Sequence, residues 1–398
     1  MASDNRTTPS LKERRLATLR RTGVADRHRV AVEKPTAAYF WIWIIVVSFV
    51  MLGLVMVLSS SSVTNLHSGG SAWAMFERQL VWAALGAVAM WAAYAMPYES
   101  WRNAKLLMPV VFVIVALNVV VILKGALVNG ARAWLDIGPF RMQPSEFMKI
   151  AVVLFCANLL SHRHRSVQIT SIVLWPMMAA MGLSAGLCAV QKDYGGSLIF
   201  AGIVLFMMVI AGLPARQLWA TTATVGILGV LVLNFASNAS ARMFAFMNLD
   251  ATKADSGYQV YQSLLSIANG GWTGTGIGSG TSKWGYVPLA YSDFIFSVIA
   301  EEMGIFGTFM VVGGFIALVV FGIQVALAAP DTHGAFIAGG ISTWFGVQAL
   351  VNIGGVVGAL PMTGLTLPFL SYGGSSLIAS MAAAGLLLNV ARAVKTSK

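Results

Sequence analysis

The amino-acid sequence predicts an all-α polytopic membrane protein with about ten transmembrane helices and one large outer loop between helices 7 and 8. Two observations predict this class. The 398 residues are 57% hydrophobic and only 10% charged, which excludes an ordinary soluble domain. Apolar runs long enough to cross ~30 Å of hydrocarbon also recur along the chain after an initial polar tail.

The predicted spans follow these apolar runs in chain order. We place them at residues 38–58, 79–96, 106–123, 146–161, 171–190, 196–213, 217–236, 303–325, 335–356 and 373–392. About 20 apolar residues in a helix cross the hydrocarbon, because each residue adds ~1.5 Å. We therefore expect one membrane domain over residues 38–395, with an outer loop at 237–288.

The first 37 residues are basic and lack the short apolar core and small-residue cleavage site of a signal peptide. We expect a retained, disordered cytoplasmic tail over residues 1–37. Ten crossings then place both termini in the cytoplasm. Most Lys and Arg residues fall in the tail and in the predicted inner loops, as the positive-inside rule requires.

The formal net charge of +11 is explained by this orientation signal and by the tail. It calls for no nucleic-acid partner, and weak contact of the tail with anionic membrane lipid is a second role. Cys156 and Cys188 lie within predicted spans, without the spacing of a metal site or a disulfide framework.

Side chains capable of chemistry collect in the predicted outer loops. The loop at residues 124–145 combines Arg132 and Arg141 with apolar residues and could hold a phosphate. The short turn at residues 191–196 adds Lys192 and Asp193. The turn alone indicates no function.

Two ionisable residues follow a predicted helix start. Gln143-Pro144 is typical of such a start, and Glu146 and Lys149 then share one helix face. An ionisable group in hydrocarbon costs ~2.5–3.5 kcal/mol and usually faces a bundle interior, a wet cavity or a partner. The pair predicts either a helix-end ion pair or a polar cavity that opens outward.

The outer segment 237–288 is too polar to cross the membrane and too long to be a mere connector. We expect a folded functional loop. It contains the sequence NLDATKADSGYQ, which brings Asp250 and Asp255 close together in the chain. Asp255 could instead cap a helix that starts near Tyr258.

The same loop continues with the sequence GTGIGSG, which lacks the strand and βαβ context of a dinucleotide fingerprint. A flexible turn is the better interpretation. Asp293 then lies at the membrane edge, and Glu301 and Glu302 enter hydrocarbon. An unbroken helix over residues 293–328 would be ~54 Å long, so we expect a break near residues 301–304.

The last outer loop, residues 358–376, contains two prolines that break helical structure. Ser371 and Ser375 supply hydroxyls, and Gly373 allows close backbone approach. A structural turn and a binding surface explain these residues equally well.

Several motifs resemble those of the SEDS family of cell-wall polymerases, in order over roughly residues 38 to 395. They read ARAWLDIGPFRMQPSEFMKI, RMFAFMN, SGYQVYQS, GGWTGTGIG, KWGYVPLAYSDFIFSVIAEEMG and QALVNIGGVVGALPMTGLTLPFLSYGGSS. The segment FERQLVWAALGAVAMWAAYAMPYESWR is more similar to division-type members than to elongation-type members.

The resemblance implies a ten-helix glycosyltransferase that polymerises lipid II, a lipid-linked disaccharide-pentapeptide, at the outer face of the bacterial cytoplasmic membrane. It implies action at the division septum, with other division proteins and a class B penicillin-binding protein as the transpeptidase partner. Older accounts of the family proposed lipid II flipping, so a transporter is one alternative. A non-catalytic scaffold is another.

This chemistry assigns roles to the residues above. A carboxylate takes the proton of the acceptor hydroxyl, and cations hold the leaving pyrophosphate. We expect the carboxylate to be Asp250 or, failing that, Asp255. The nearest cations are Arg132, Arg141, Lys149, Lys192 and Lys283.

We further expect one outward-facing polar cavity for the substrate. Its lining should include Glu146, Lys149, Asp193 and Asp293, and the segment 364–376 with Ser371, Gly373 and Ser375 should close one side. A pyrophosphate substrate makes Mg²⁺ or Mn²⁺ plausible, although the sequence contains no dedicated ligand motif.

One departure from the family pattern concerns the proposed base. Family members carry an aspartate followed by proline in the stretch that corresponds to NLDATKADSGYQ. Alignment of Asn248 and Gly257 without a gap places Thr252 at that position. Either neighbouring aspartate substitutes for it, or this member is catalytically weakened.

Overall fold

The computed structural model describes residues 36–67, 69–128, 130–138, 140–163 and 172–394. The expected tail therefore lies outside the described residues, except for its last two positions. The described chain forms thirteen α-helices and one small sheet. This confirms the predicted helical class.

The helices, in chain order, overlap every predicted span and include part of the predicted outer loop. They are α1 Ala37–His67, α2 Ala74–Ala95, α3 Ala104–Lys124, α4 Pro144–His162, α5 Leu174–Val190, α6 Tyr194–Ile210, α7 Ala215–Phe235, α8 Ser237–Met247, α9 Leu249–Thr252, α10 Tyr258–Gly270, α11 Ile295–Ala328, α12 Thr332–Val356 and α13 Gly374–Ala393. Among the described helices, seven are long and apolar enough to cross a membrane, and α5 and α6 are shorter apolar helices. The protein is thus a multi-pass membrane protein, and the count of ten spans stays a prediction.

Short polar residues and one proline fix several helix starts. Asn103 accepts a hydrogen bond from the backbone N–H of Lys105 before α3, at 3.0 Å. Asp331 does the same for Gly334 before α12, at 2.9 Å. Pro144 occupies the first position of α4, as the sequence predicted. These caps satisfy N–H groups that the first helical turn leaves without partners.

The centre of the bundle is formed by α4, α12 and α13, which are mostly buried, whereas α7 is almost entirely exposed. Helix α13 packs along α2. Near its end, the Asn389 amide donates to the carbonyls of Ala93, Tyr94 and Met96, at 3.2, 2.7 and 2.6 Å. One side chain therefore satisfies the carbonyl groups at the end of α2.

A three-stranded antiparallel sheet follows α3, where the sequence predicted an outer loop of charged and apolar residues. Its strands are β1 Ala126–Val128, β2 Ala131–Ile137 and β3 Phe140–Met142, in the order β1-β2-β3. In the second pair Asp136 lies opposite Arg141. Two strands have only three residues each, too few for an alternating pattern to be visible in the sequence.

The segment 237–288 is folded, as expected, and contains α8, α9 and α10. Helix α10 begins at Tyr258, also as expected. The predicted cap is wrong, however. The cap position is Gly257 and has no side-chain hydrogen bond, so Asp255 does not cap this helix.

Helix α11 is interrupted at Gly304, whose φ of 63° and ψ of −154° are not helical. This confirms the predicted break. Just before it, the Glu301 carboxylate accepts hydrogen bonds from Asn269, Thr281 and Ser282. The Glu302 carboxylate accepts from the Ser59 hydroxyl and the Gly278 N–H, at 2.6 and 3.0 Å. Both buried acids therefore hold the glycine-rich segment that follows α10.

Candidate functional site

A cavity of about 1780 Å³ lies where the predicted outer loops meet the ends of several helices. Its charged residues, with several polar ones, come from α2, β3, the segment before α4, the start of α4, the turn before α6, α8 and the segment before α11. This group includes Arg78, Arg141, Gln143, Glu146, Lys192, Asp193, Arg242, Tyr291, Ser292 and Asp293. The other walls are apolar and come mainly from α5, α6 and α7. The cavity thus joins a charged region to an apolar region.

Glu146 and Lys149 form a buried ion pair at the base of this cavity. The Lys149 ammonium lies 2.8 Å from both Glu146 carboxylate oxygens. The Glu146 side chain is 5% exposed and the Lys149 side chain is 1% exposed. The third N–H of the ammonium donates to the Gln348 side-chain oxygen at 2.9 Å. Glu146 lines the cavity as predicted, but Lys149 does not. The lysine is one helical turn deeper, and its three N–H groups already have acceptors.

Gln348 connects this ion pair by hydrogen bonds to the segment between α12 and α13. Its carbonyl oxygen also accepts from the Trp344 indole at 2.6 Å. Its amide donates to the Thr366 carbonyl at 2.7 Å. The buried ion pair is therefore linked, through one amide, to a wall of the cavity.

Asp193 lines the cavity and caps α6. One carboxylate oxygen accepts from the Gly196 N–H at 2.8 Å, and the other accepts from the Gln143 amide at 3.3 Å. Burial raises the pKa of Asp193, while the bond from Gly196 opposes this shift. The exposed Lys192 lies beside it and also lines the cavity. These two placements agree with the sequence prediction.

Asp293 lies two residues before α11, half-buried in the lining. Its backbone carbonyl accepts from the Asn352 amide at 3.0 Å, which fixes the segment in place. Burial raises the pKa of the Asp293 carboxyl to about 7, against the opposing effects of Ser292 and of the Arg242 charge. This carboxyl therefore changes its protonation state near neutral pH.

The predicted cations divide into two groups. Arg141 lines the cavity and forms an exposed ion pair with Asp136 at 2.9 Å, and Lys192 lines it as described. Arg132, Lys149 and Lys283 are not among the lining residues. The Arg132 backbone N–H joins the sheet to Gln191, and the Lys283 ammonium contacts the Gly278 carbonyl.

The segment between α12 and α13 closes one side of the cavity, as predicted. Residues 360–366 and Tyr372, Gly373 and Gly374 line it. The two predicted serines are not in the lining. Ser371 donates to the Ser292 carbonyl at 2.6 Å, and Ser375 accepts from the Gln143 N–H at 2.9 Å. Both hydroxyls bind backbone groups of lining residues and so help to fix the position of the cavity wall.

The two aspartates expected to act as base are exposed and lie outside the cavity lining. Asp250 belongs to the one-turn helix α9, and Asp255 follows that helix. Thr252, at the position where the family carries aspartate, is buried, and its hydroxyl donates to the Asn248 carbonyl at 2.8 Å. The catalytic role of Asp250 or Asp255 stays a prediction.

Sequence reasoning missed several polar groups of the lining, above all Arg78, Arg242 and Tyr291. Arg242 was visible as the first residue of the RMFAFMN motif, yet nothing in that motif showed that α8 would fold back over the cavity. Arg78 lies in the first turns of α2, where an arginine is also explained as a charge at a membrane edge.

The described residues contain no group of three or more His, Cys, Asp or Glu side chains that could hold a metal ion. The carboxylates in the cavity also face hydrogen-bond donors of the protein, as Glu146 and Asp193 show. The residues present therefore do not form a dedicated metal site.

Comparisons with known proteins agree with this architecture. The family model described as Cell cycle protein, for FtsW, RodA and SpoVE, matches residues 39–396. A probable peptidoglycan glycosyltransferase FtsW of Geobacter metallireducens is 36% identical over 357 residues, 89% of this chain and 94% of that protein. The stage V sporulation protein E of Bacillus subtilis is 35% identical over 362 residues, 90% of this chain and 98% of that protein.

Two solved structures share the fold. One belongs to a study of the structural coordination of polymerization and crosslinking by a peptidoglycan synthase complex, with a TM-score of 0.73, 29% identity and coverage of 88% of this chain and 96% of that chain. The other is the rod shape determining protein RodA of Thermus thermophilus, with a TM-score of 0.65, 26% identity and coverage of 89% and 97%. A family match over nearly the whole chain, with relatives above 30% identity, shows that this chain belongs to the FtsW, RodA and SpoVE family, the SEDS family expected from its motifs.

Proposed function

We propose that this protein is a peptidoglycan glycosyltransferase that polymerises lipid II into glycan strands at the outer face of the bacterial cytoplasmic membrane during cell division. The observation that carries the proposal is the cavity, which joins charged groups to apolar walls of α5, α6 and α7. A sugar pyrophosphate on a polyprenyl chain has the same two-part character. The names of the relatives, peptidoglycan glycosyltransferase among them, support the same activity.

The transfer needs one proton acceptor. The acceptor hydroxyl oxygen forms a bond to the anomeric carbon, while the bond from that carbon to the pyrophosphate oxygen breaks and leaves its electron pair on the pyrophosphate. The hydroxyl proton passes to a carboxylate within hydrogen-bond reach, an effect of ~10²–10⁴ in rate. Cations near the leaving group stabilise its charge, and Arg141, Lys192 and Arg242 line the same cavity.

The geometry favours Asp293 as this carboxylate. Of the three acids in the lining, Glu146 is bound to Lys149 and Asp193 caps α6. Asp293 has neither task, and its pKa of about 7 suits a general base near neutral pH. Asp250 and Asp255 remain the competing candidates, and they require a movement of the outer loop toward the cavity.

We expect a divalent cation, Mg²⁺ or Mn²⁺, only as an ion bound to the substrate pyrophosphate. Since the described residues form no dedicated metal site, a cation would enter with the donor pyrophosphate. Polymerisation measured with and without a chelator tests this point. Full activity in the chelator would show that no cation is needed.

The same proposal includes partners and location. The structural relative in a peptidoglycan synthase complex supports an assembly with a crosslinking enzyme, which we take to be a class B penicillin-binding protein, and further division proteins at the septum. Both termini would lie in the cytoplasm, as the distribution of basic residues predicts. The outer loop would then face the cell wall, and membrane lipid would surround the spans.

One observation weakens the transporter alternative. The ionisable residues that could line a translocation path are bound to protein groups: Glu146 to Lys149, and the acids Glu301 and Glu302 to the glycine-rich segment. Thr252 motivates the scaffold alternative. One experiment separates the three functions.

The experiment supplies purified full-length protein and its penicillin-binding partner with lipid II in detergent. We expect glycan strands. A transporter would need a sealed bilayer to show activity and would make no polymer. A scaffold would bind its partner normally and leave lipid II unchanged.

A further inference from the structure

Arg242 connects two outer segments that are far apart in the sequence. It lies on α8, the first helix of the outer loop. Its guanidinium donates to the Thr363 carbonyl at 2.8 Å, and both residues line the cavity. Thr363 belongs to the wall between α12 and α13. The bond therefore joins the segment 237–288 to a wall of the proposed site.

The same guanidinium lies near Asp293. Gly364, next to Thr363, has a φ of +73°, and a Cβ there would lie 3.5 Å from a carboxylate oxygen of Asp293. The same point is 3.6 Å from both terminal nitrogens of Arg242. Glycine at this position thus leaves room for the cation and the acid on either side of one backbone turn.

Several other charged groups lie around the same cavity. They are Arg78, Arg141, Glu146, Lys192 and Asp193 in the lining, with Lys149 behind it. The charges that act on the pKa of Asp293 are those of Arg242, which lowers it, and Asp193, which raises it. Arg242 and Lys149 in turn lower the pKa of Asp193, and Glu146 raises it. Tyr291 and Tyr372 pack edge to face beside this group.

We infer that Arg242 is a positioning residue of the proposed transfer reaction: it holds α8 against Thr363 and places a fixed positive charge beside Asp293. The inference rests on the proposed function. Because one guanidinium performs both tasks, a displacement of α8 from the wall also removes the charge from Asp293. Closure of the outer loop and the charge state of the carboxylate are thereby coupled.

The first measurement does not depend on activity. A hydrophobic carbodiimide reacts with a protonated carboxyl group, so the fraction of labelled Asp293, measured by mass spectrometry over a range of pH, gives the midpoint of its titration. We expect this midpoint to rise by about one pH unit in Arg242→Gln, because an opposite charge within ~4–6 Å lowers the pKa of an acid. Arg242→Lys keeps a positive charge, so the labelling midpoint of Asp293 should stay close to its wild-type value.

A matched control removes another positive charge from the same loop. The Lys253 ammonium lies over the ring of Tyr261, 5.8 Å from its centroid, and is not part of the cavity lining. Lys253→Gln should leave the labelling midpoint of Asp293 unchanged. Equal shifts in Lys253→Gln and Arg242→Gln would show a general effect of net charge and would overturn the inference.

The second measurement is the pH profile of lipid II polymerisation with the penicillin-binding partner. In Arg242→Gln the acid limb should move upward with the labelling midpoint, so that the rate falls about tenfold at low pH and recovers at high pH. A defect that is equal at every pH would indicate a purely structural role for Arg242 and would overturn the inference.

Two further outcomes would contradict the inference: an unchanged midpoint in Arg242→Gln, or a shift in Arg242→Lys as large as that in Arg242→Gln. The choice of base is judged on a different variant. Polymerisation by Asp293→Asn at the wild-type rate would contradict Asp293 as base. Absence of glycan product from the wild type would contradict the proposed function, and the labelling midpoints would still judge the role of Arg242.

Discussion

The Lys149 ammonium is buried, and three hydrogen-bond acceptors stabilise its charge. Glu146 supplies two of them and Gln348 the third. From the sequence, Lys149 was expected to face the donor pyrophosphate. In the structure its charge is neutralised by a carboxylate one turn away, so its main effect is on the energy of the fold.

Lys149→Ala should therefore destabilise the protein by ~3–5 kcal/mol, because it leaves Glu146 buried without its partner. Thermal unfolding of the purified protein in detergent measures this effect. The double variant Glu146→Gln with Lys149→Met removes both charges and should lose much less stability. A single variant that unfolds at the wild-type temperature would show that the pair is not needed for folding.

The raised pKa of Asp293 predicts how the stability of the folded protein changes with pH. Its pKa rises from 3.8 to about 7 on folding, so the folded state binds more protons than the unfolded state between these values. Stability should consequently fall as pH rises through this window. Asp293→Asn removes the charge and should flatten that part of the curve of melting temperature against pH. Parallel curves for the two proteins would contradict the assigned pKa.

Among the elements, the N-terminal part of α11 holds the glycine-rich segment through its two acids, Glu301 and Glu302. The Glu301 carboxylate accepts five hydrogen bonds, from one amide, two backbone N–H groups and two hydroxyls. Hydrogen bonds to a charged group each contribute ~1.5–3 kcal/mol. The Glu301 side chain is therefore the main side-chain acceptor for the segment between α10 and α11, and the Glu302 carboxylate adds a further bond to Gly278.

Glu301→Ala should loosen residues 281–282, whose backbone N–H groups and hydroxyls lose their shared acceptor. Amide hydrogen exchange in this range should become at least about tenfold faster, since ~1.4 kcal/mol of lost protection gives a factor of ten. Glu77→Ala, in the exposed first turn of α2, is the control and should leave exchange there unchanged. Unchanged exchange in Glu301→Ala would show that other contacts hold the segment.

The elements differ in how well the sequence predicted them. Apolar runs predicted the helices that overlap the spans, because burial in lipid requires continuous apolar sequence. Pro144 and the break at Gly304 also followed from local rules. The small sheet did not, since strands of three residues show no pattern, and the cap expected from Asp255 failed because Gly257 takes that position.

The candidate site was predicted only in part. Glu146, Asp193 and Asp293 could be found because each acid lies at the outer edge of a predicted span. The placement of Asp250 outside the lining and of Arg242 inside it depends on the positions that α8 and α9 take relative to the cavity. That is a tertiary arrangement, and the local sequence of a loop does not specify it.

At the scale of the whole molecule, the cavity connects the charged groups to the apolar walls of α5, α6 and α7. The almost fully exposed α7 would face lipid along most of its length. A polyprenyl chain could thus remain in an apolar environment while its pyrophosphate and sugars reach the charged region. This arrangement predicts that the apolar wall controls donor binding.

Two glycines of α7 form a matched pair for testing the wall. Gly229 lines the cavity, Gly226 does not, and a Cβ at either position meets open space. Gly229→Leu should raise KM for lipid II by about tenfold, equivalent to ~1.4 kcal/mol of lost binding, without loss of thermal stability. Gly226→Leu should leave KM unchanged. Equal KM values in both variants would show that the donor does not use this wall.

The most direct test of the account is the rate of glycan synthesis from lipid II by the full-length protein with its penicillin-binding partner, compared between wild type and Asp293→Asn. We expect wild-type protein to form glycan strands and Asp293→Asn to lose at least ~10² in rate, with Asp250→Ala and Asp255→Ala within a few-fold of wild type. Absence of product from the wild type would contradict the proposed activity. A nearly unchanged rate in Asp293→Asn, together with loss of activity in Asp250→Ala or Asp255→Ala, would show that the outer loop carries the base.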